Sequence, residues 1–163
     1  MAAGTFTGSE VFALKQNHTG ENVIRSRWAF PVGGQSLSAS DIVFMARVPN
    51  RAIVTDWVLW GGNAGVTTAL WKLGILGGVA LTDPITGRSI TDDQMIAAAS
   101  LTAGNAYRMF QTIAVNAANG PFQVSLSDDN VQQFVWVGCT FTSGSTTATG
   151  SLNLYLKYLV PGG

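Results

Sequence analysis

The chain has 163 residues, enough for one domain that buries roughly 70% of its unfolded surface and holds a core without disulfides or metals. Nine Lys and Arg balance nine Asp and Glu, and only 11% of residues are charged, against about 25% in a typical soluble domain. A single cysteine excludes an intrachain disulfide, scattered and offset basic residues argue against nucleic-acid binding, and no run approaches the roughly 18 apolar residues of a membrane span.

Residues 1–22 are rich in Gly, Thr, Ser and Asn and have no clear hydrophobic period. They carry isolated apolar residues, Phe6, Val11, Phe12 and Leu14, which a disordered tail rarely holds. Two readings stand side by side: a frayed terminus, or an extended arm that orders against a neighbouring subunit with those four side chains as anchors. Residues 1–5 lack the basic and apolar regions of a secretion signal, so none is expected. The remainder, 23–163, reads as one β-sandwich domain.

Strands are expected from Val23 to Phe30, Asp41 to Val48, Ala52 to Trp60 and Val66 to Leu76, each bounded by Pro or Gly pairs. The segment Pro49-Asn50-Arg51 is a β-turn with Pro49 at its second position. From Ala52 to Trp60 both alternating sets, Ile53/Thr55/Trp57/Leu59 and Val54/Asp56/Val58/Trp60, hold large apolar groups, which places that strand centrally or under cover on both faces. Thr91-Asp92-Asp93-Gln94 has the form of a capping box and precedes Met95-Ile96-Ala97-Ala98-Ala99, so a short helix is expected over Asp92 to Leu101. Further strand candidates lie near Ala106 to Val115, at Pro121 to Leu126, Gln132 to Phe141 and Thr149 to Val160, with a polar hairpin loop at 142–148. The last strand is the clearest: Leu152, Leu154, Leu156, Tyr158 and Val160 alternate with Ser151, Asn153, Tyr155 and Lys157. The expected fold is mainly β: an antiparallel two-sheet sandwich of jelly-roll type with one short helix, an immunoglobulin-like sandwich being the alternative.

The vocabulary of catalysis is sparse. His18, the one histidine, has no second His or carboxylate pair near it in sequence. Asp128-Asp129-Asn130 lacks the further ligands and closing Glu of a calcium loop, and Asp41 and Asp56 could pair with Arg47 or Arg51. Cys139 sits in an apolar run without a basic neighbour, as a buried thiol does. No Gly-x-Ser-x-Gly elbow accompanies the histidine. No catalytic, cofactor-binding or metal-binding residue is expected. Among five Trp, Trp60 beside Gly61-Gly62 is the one placed for surface contact. Low charge with many aromatics leaves two explanations, a surface of Thr, Ser, Asn and Gly or one buried against other subunits.

The succession Asp41-Ile42-Val43-Phe44-Met45-Ala46-Arg47-Val48-Pro49-Asn50-Arg51-Ala52-Ile53-Val54-Thr55-Asp56, then Val66-Thr67-Thr68-Ala69-Leu70-Trp71-Lys72-Leu73-Gly74, then Met95-Ile96-Ala97-Ala98-Ala99 and a closing strand Ser151 to Val160, resembles the small capsid decoration (cement) and related minor virion proteins of tailed bacteriophages. The resemblance covers about residues 40 to 160, through loose motifs. It implies a non-enzymatic sandwich on the outer surface of an icosahedral head, with the major capsid protein and itself as partners, often as a homotrimer. The section from Gly74 to Thr91 is longer than the resemblance implies. Interface candidates are then Phe6, Val11, Phe12, Leu14, Trp60 and Trp71. A carbohydrate-binding module for host adsorption, using Trp60, Trp71 or Tyr107, and a hydrolase with paired carboxylates are the competing functions.

Overall fold

The computed structural model describes residues 5–7, 10–14, 21–62, 70–76, 93–101, 105–109, 121–124, 134–143 and 146–161. These form β1 (Thr5–Thr7), β2 (Glu10–Leu14), β3 (Glu21–Ala29), β4 (Gln35–Leu37), β5 (Ile42–Pro49), β6 (Ile53–Gly62), β7 (Leu70–Leu76), β8 (Ile96–Ser100), β9 (Ala106–Arg108), β10 (Phe122–Gln123), β11 (Phe134–Phe141), β12 (Thr146–Ala148) and β13 (Ser151–Leu159). One sheet has the order β1-β5-β11-β7-β8. The second runs β10-β6-β13-β3-β2, with β9 also paired to β6, and β4 and β12 make a separate ribbon. All pairings are antiparallel except β1 with β5. One hydrophobic core draws on both large sheets, so the architecture is the expected β-sandwich.

The closing strand β13 organises the second sheet. It pairs with β3 from Ser151↔Ala29 to Leu159↔Glu21 and with β6 from Ser151↔Gly62 to Leu159↔Ile53. Its period-two pattern turns Leu152, Leu154 and Leu156 fully inward. Val160 lies past the strand end and is half exposed.

β6 is central, as its two apolar faces indicate, but neither sequence alternation describes it. The β13 register shifts between Lys157, opposite Asp56, and Tyr158, opposite Val54. The extra residue is a β-bulge, which changes the phase of the strand. Val54 faces the core on one side of it, and Trp57 and Leu59 do so on the other. A second bulge lies in β5: Val137 of β11 pairs with Ala46 and Gly138 with Phe44. Val43, Met45, Ala46 and Val48 therefore all reach the main core, while Ile42, Phe44 and Leu76 form a small second cluster with Trp136.

Three expectations need correction. The segment expected to be helical is a strand: β8 pairs with β7 through Leu70↔Ser100, Trp71↔Ala99 and Leu73↔Ile96. Helix propensities separate Ala from strand formers by under about 1 kcal/mol per residue. Burying a Met or Ile is worth about 1.5–3 kcal/mol, and Met95, Ile96, Ala99 and Leu101 are all buried. The edge of β7 thus outweighs the local preference; Thr91 and Asp92 lie outside the described residues. Residues 142–148 are not a simple hairpin loop, because β11 and β13 belong to different sheets and β12 pairs with β4, burying Ala148. At the β5–β6 turn the Ala52 N–H donates to the Pro49 carbonyl, making Pro49 the first turn residue and placing Arg51 at φ 68°.

Within residues 1–22, β1 joins the first sheet beside β5 and β2 joins the second beside β3.

Replacing Leu154 or Leu156 with Ala is expected to cost roughly 2–5 kcal/mol in chemical denaturation. Gly138→Ala is expected to be at least as damaging, because a Cβ there collides with the Val43 carbonyl oxygen and lies 2.7 Å from Leu76 Cδ1. A denaturation midpoint unchanged in either experiment would contradict the packing described here.

Candidate functional site

The register of the second sheet lines up outward-facing side chains across four strands. Asn153 of β13 lies between Arg27 of β3 and Trp60 of β6, and Trp60 is opposite Ala106 of β9. One step along, Tyr155 lies between Arg25 and Val58, and Val58 is opposite Arg108. The bulge in β6 sets this phase, since it turns Val58 and Trp60 outward while Trp57 and Leu59 stay in the core. These side chains, with Ser26, line a cleft of about 710 Å³ on the outer face of the sheet.

Among the described side chains, three guanidinium groups and no carboxylate belong to that lining. Arg25 Cζ lies 5.9 Å from the Tyr155 ring centroid. Asn153 Nδ2 donates to the Trp60 carbonyl at 3.4 Å and to Ser151 Oγ at 3.2 Å, so its amide is turned toward the protein. Trp60 keeps 36% of its surface exposed. Glu21, at the far end of β3, is engaged by Lys157 at 3.9 Å and by the Thr55 hydroxyl at 3.4 Å. Glu10 of β2 holds the register position opposite Arg27.

Guanidinium groups stay protonated and only donate hydrogen bonds. The cleft can therefore bind anionic groups against aromatic surface. Among the described residues no three His, Cys, Asp or Glu side chains converge to hold a metal. The Asp41 carboxylate accepts the Ser38 N–H at 2.8 Å, and Arg47 lies over the rings of Phe134 and Trp136 at 4.7 and 5.6 Å. Cys139 is fully buried, and burial pushes its thiol from 9.0 to about 12. His18 and Asp128-Asp129 lie outside the described residues.

The candidate interface residues are dispersed. Phe6 pairs with Val43 at the edge of the first sheet, and Val11, Phe12 and Leu14 pair with Ser26, Arg25 and Val23 at the edge of the second. Trp60 lines the cleft. Trp71 is fully buried in the core, with ring centroids 5.2 Å from Phe141 and 6.3 Å from Phe30, and offers no surface to a partner. Tyr107 packs against the core and donates to the Ser100 carbonyl at 3.1 Å. Sequence reasoning missed Arg25, Arg27, Arg108 and Tyr155. The Arg-Ser-Arg spacing in β3 places two arginines on one face, a signal available in the sequence; Arg108 depends on the pairing of β9 with β6.

No protein-family model matches the chain, and no curated protein sequence does. Solved structures do share its fold. A chain in the capsid of Ralstonia phage GP4 superposes with a TM-score of 0.68 at 18% identity, covering 98% of this chain and 100% of that one. A chain in the Cyanophage Pam1 capsid asymmetric unit gives 0.53 at 16% identity, covering 94% and 95%. One in the acid-stable capsid of the Helicobacter pylori bacteriophage KHP30 gives 0.51 at 9% identity, with the same coverage.

Burial of Cys139 predicts that a thiol reagent at neutral pH leaves the native protein unmodified and labels one thiol per chain in denaturant. Because the folded thiol titrates near 12 and the reference thiol near 9.0, the unfolded state releases its proton first. The contribution of this group to stability is complete below pH 9 and falls as pH rises above it. Rapid native labelling would show that the β11 site opens.

Proposed function

We propose that this protein is a structural component of a phage virion that binds the outside of an icosahedral head and reinforces it, as a decoration or cement protein. The end-to-end match of its fold to chains in phage capsids supports the reading, since nearly the whole of each chain is included. Low charge supports it independently, because it suits a subunit much of whose surface meets neighbours. The major capsid protein is the partner, and the protein associates with itself as a homotrimer. Subunits held at several points gain avidity without strong individual contacts.

The first 22 residues are assigned as the arm that ties one subunit to the next. Its strands β1 and β2 join the large sheets at their edges, where an equivalent segment from a neighbour can pair in the same register. The protein does no catalysis in this role. The carbohydrate-binding alternative is the weaker one, since Trp71 is buried and Tyr107 is bonded to Ser100, leaving Trp60 alone of its three aromatic residues.

Sedimentation equilibrium is expected to give three times 17.1 kDa, and the protein is expected to co-sediment with heads assembled without it. Removing residues 1–20 is expected to leave the β3–β13 sandwich folded by circular dichroism while weakening both associations. A monomer that ignores heads would defeat the proposal; a truncated chain that binds as well as the intact one would remove the arm from it.

A further inference from the structure

We infer that Arg47 and Phe134, on the outer face of the first sheet, form a contact that binds an acidic side chain of the neighbouring shell protein. The inference rests on the virion reading and names one point of attachment. Val135 and Val137 of β11 are buried in the main core, so Phe134 and Trp136 project from the opposite face. Trp136 packs on the small cluster of Ile42, Phe44 and Leu76, with its ring centroid 5.1 Å from that of Phe44. All three side chains of that cluster are buried, which gives the patch a firm base. Arg47 lies opposite Trp136 on β5 and is exposed. Its Cζ lies 4.7 Å from the Phe134 ring centroid and 5.6 Å from that of Trp136. Phe134 itself is half exposed.

Aromatic faces hold a cation without using its hydrogen-bond donors. Among the described residues no hydrogen bond or ion pair engages the Arg47 guanidinium, so its N–H groups are open to a partner. A planar guanidinium matches a carboxylate through two parallel hydrogen bonds. Contact with two rings also restrains the side chain, which lowers the ordering cost of binding. Lys72 shares this face, opposite Thr140, four residues along β11 from Trp136 or about 13 Å away, and already has an interaction of its own. One open cation suits a single carboxylate, whereas a nucleic-acid strand or an anionic membrane is held by several cations together. The half-exposed Phe134 ring sets apolar surface beside the charge. The occupant is therefore an Asp or Glu with an apolar neighbour on a protein surface. Arg and aromatic residues are those enriched at such contacts.

The test uses the full chain and heads assembled without it. Phenylglyoxal modifies exposed arginines, and peptide mass spectrometry reads the modification position by position. Arg47 is expected to be modified in the free protein and protected on heads. Arg47→Gln is expected to keep its circular dichroism spectrum and to bind heads about ten- to a hundredfold more weakly. In Arg47→Lys bound to heads, a zero-length carbodiimide is expected to join position 47 to an Asp or Glu of the shell protein. Equal modification of Arg47 on and off heads, or a folded Arg47→Gln variant that binds at full strength, overturns the inference and leaves the virion reading intact. Protection already complete in the free protein overturns it in favour of a contact between copies of this chain. Protection on heads without a carboxylate cross-link overturns the chemistry assigned to the partner. Should Arg47→Gln fail to fold, protection on the unmodified chain decides. Failure of the unmodified protein to bind heads removes the virion reading and this contact with it.

Discussion

The pairing of β13 with two neighbours at once is the constraint on which the rest of the molecule depends. Its inward leucines fill the centre of the core, and its outward Asn153 and Tyr155 form the middle of the cleft. Because alternate residues point to opposite faces, one register serves both purposes. A slip of one residue would turn Leu152, Leu154 and Leu156 to solvent and carry Tyr155 into the core. Three buried leucines, each worth about 1.5–3 kcal/mol, hold the register against that slip. They also hold the outer face, whose exposed arginines contribute little stability of their own.

Bulges then decide what each central strand presents. Without the extra residue in β6, Trp57 and Leu59 could not share the core with Val54, and Trp60 would not stand beside Asn153 on the outer face. In β5 the bulge allows adjacent Met45 and Ala46 to meet the same core. It also accompanies the close approach of Gly138 to the β5 backbone, where a side chain has no room. Both irregularities lie near aromatic groups: Trp57 next to Asp56 at one, Phe44 and Trp136 at the other.

The charges are few, and they are spent unevenly. Glu21 and Lys157 are paired in a partly exposed contact of the kind that adds little to stability. Arg25, Arg27 and Arg108 all line one face of the second sheet. An isolated surface guanidinium does little for folding, but three around aromatic rings make a surface suited to recognition. The buried thiol, by contrast, sits in the core as a small apolar group, and its raised ionisation range follows from that burial alone.

Alternation in β3 and β13 and the Pro and Gly boundaries were enough to establish a β-sandwich from the sequence, because inward and outward residues differ in chemistry along those strands. The sequence misled at β8, where Ala-rich residues after a capping box favour a helix locally; only the open edge of β7 and the core beneath it make that segment a strand. Residues 146–148 looked like loop because their three side chains are small, and their partner, β4, lies more than a hundred residues earlier. The cleft was legible only in fragments: Trp60 by its neighbouring glycines, Arg25 and Arg27 by their spacing. Its assembly required the registers of β3, β13, β6 and β9 and the phase change in β6, and cross-strand register is a property of packing between distant segments that no local pattern encodes.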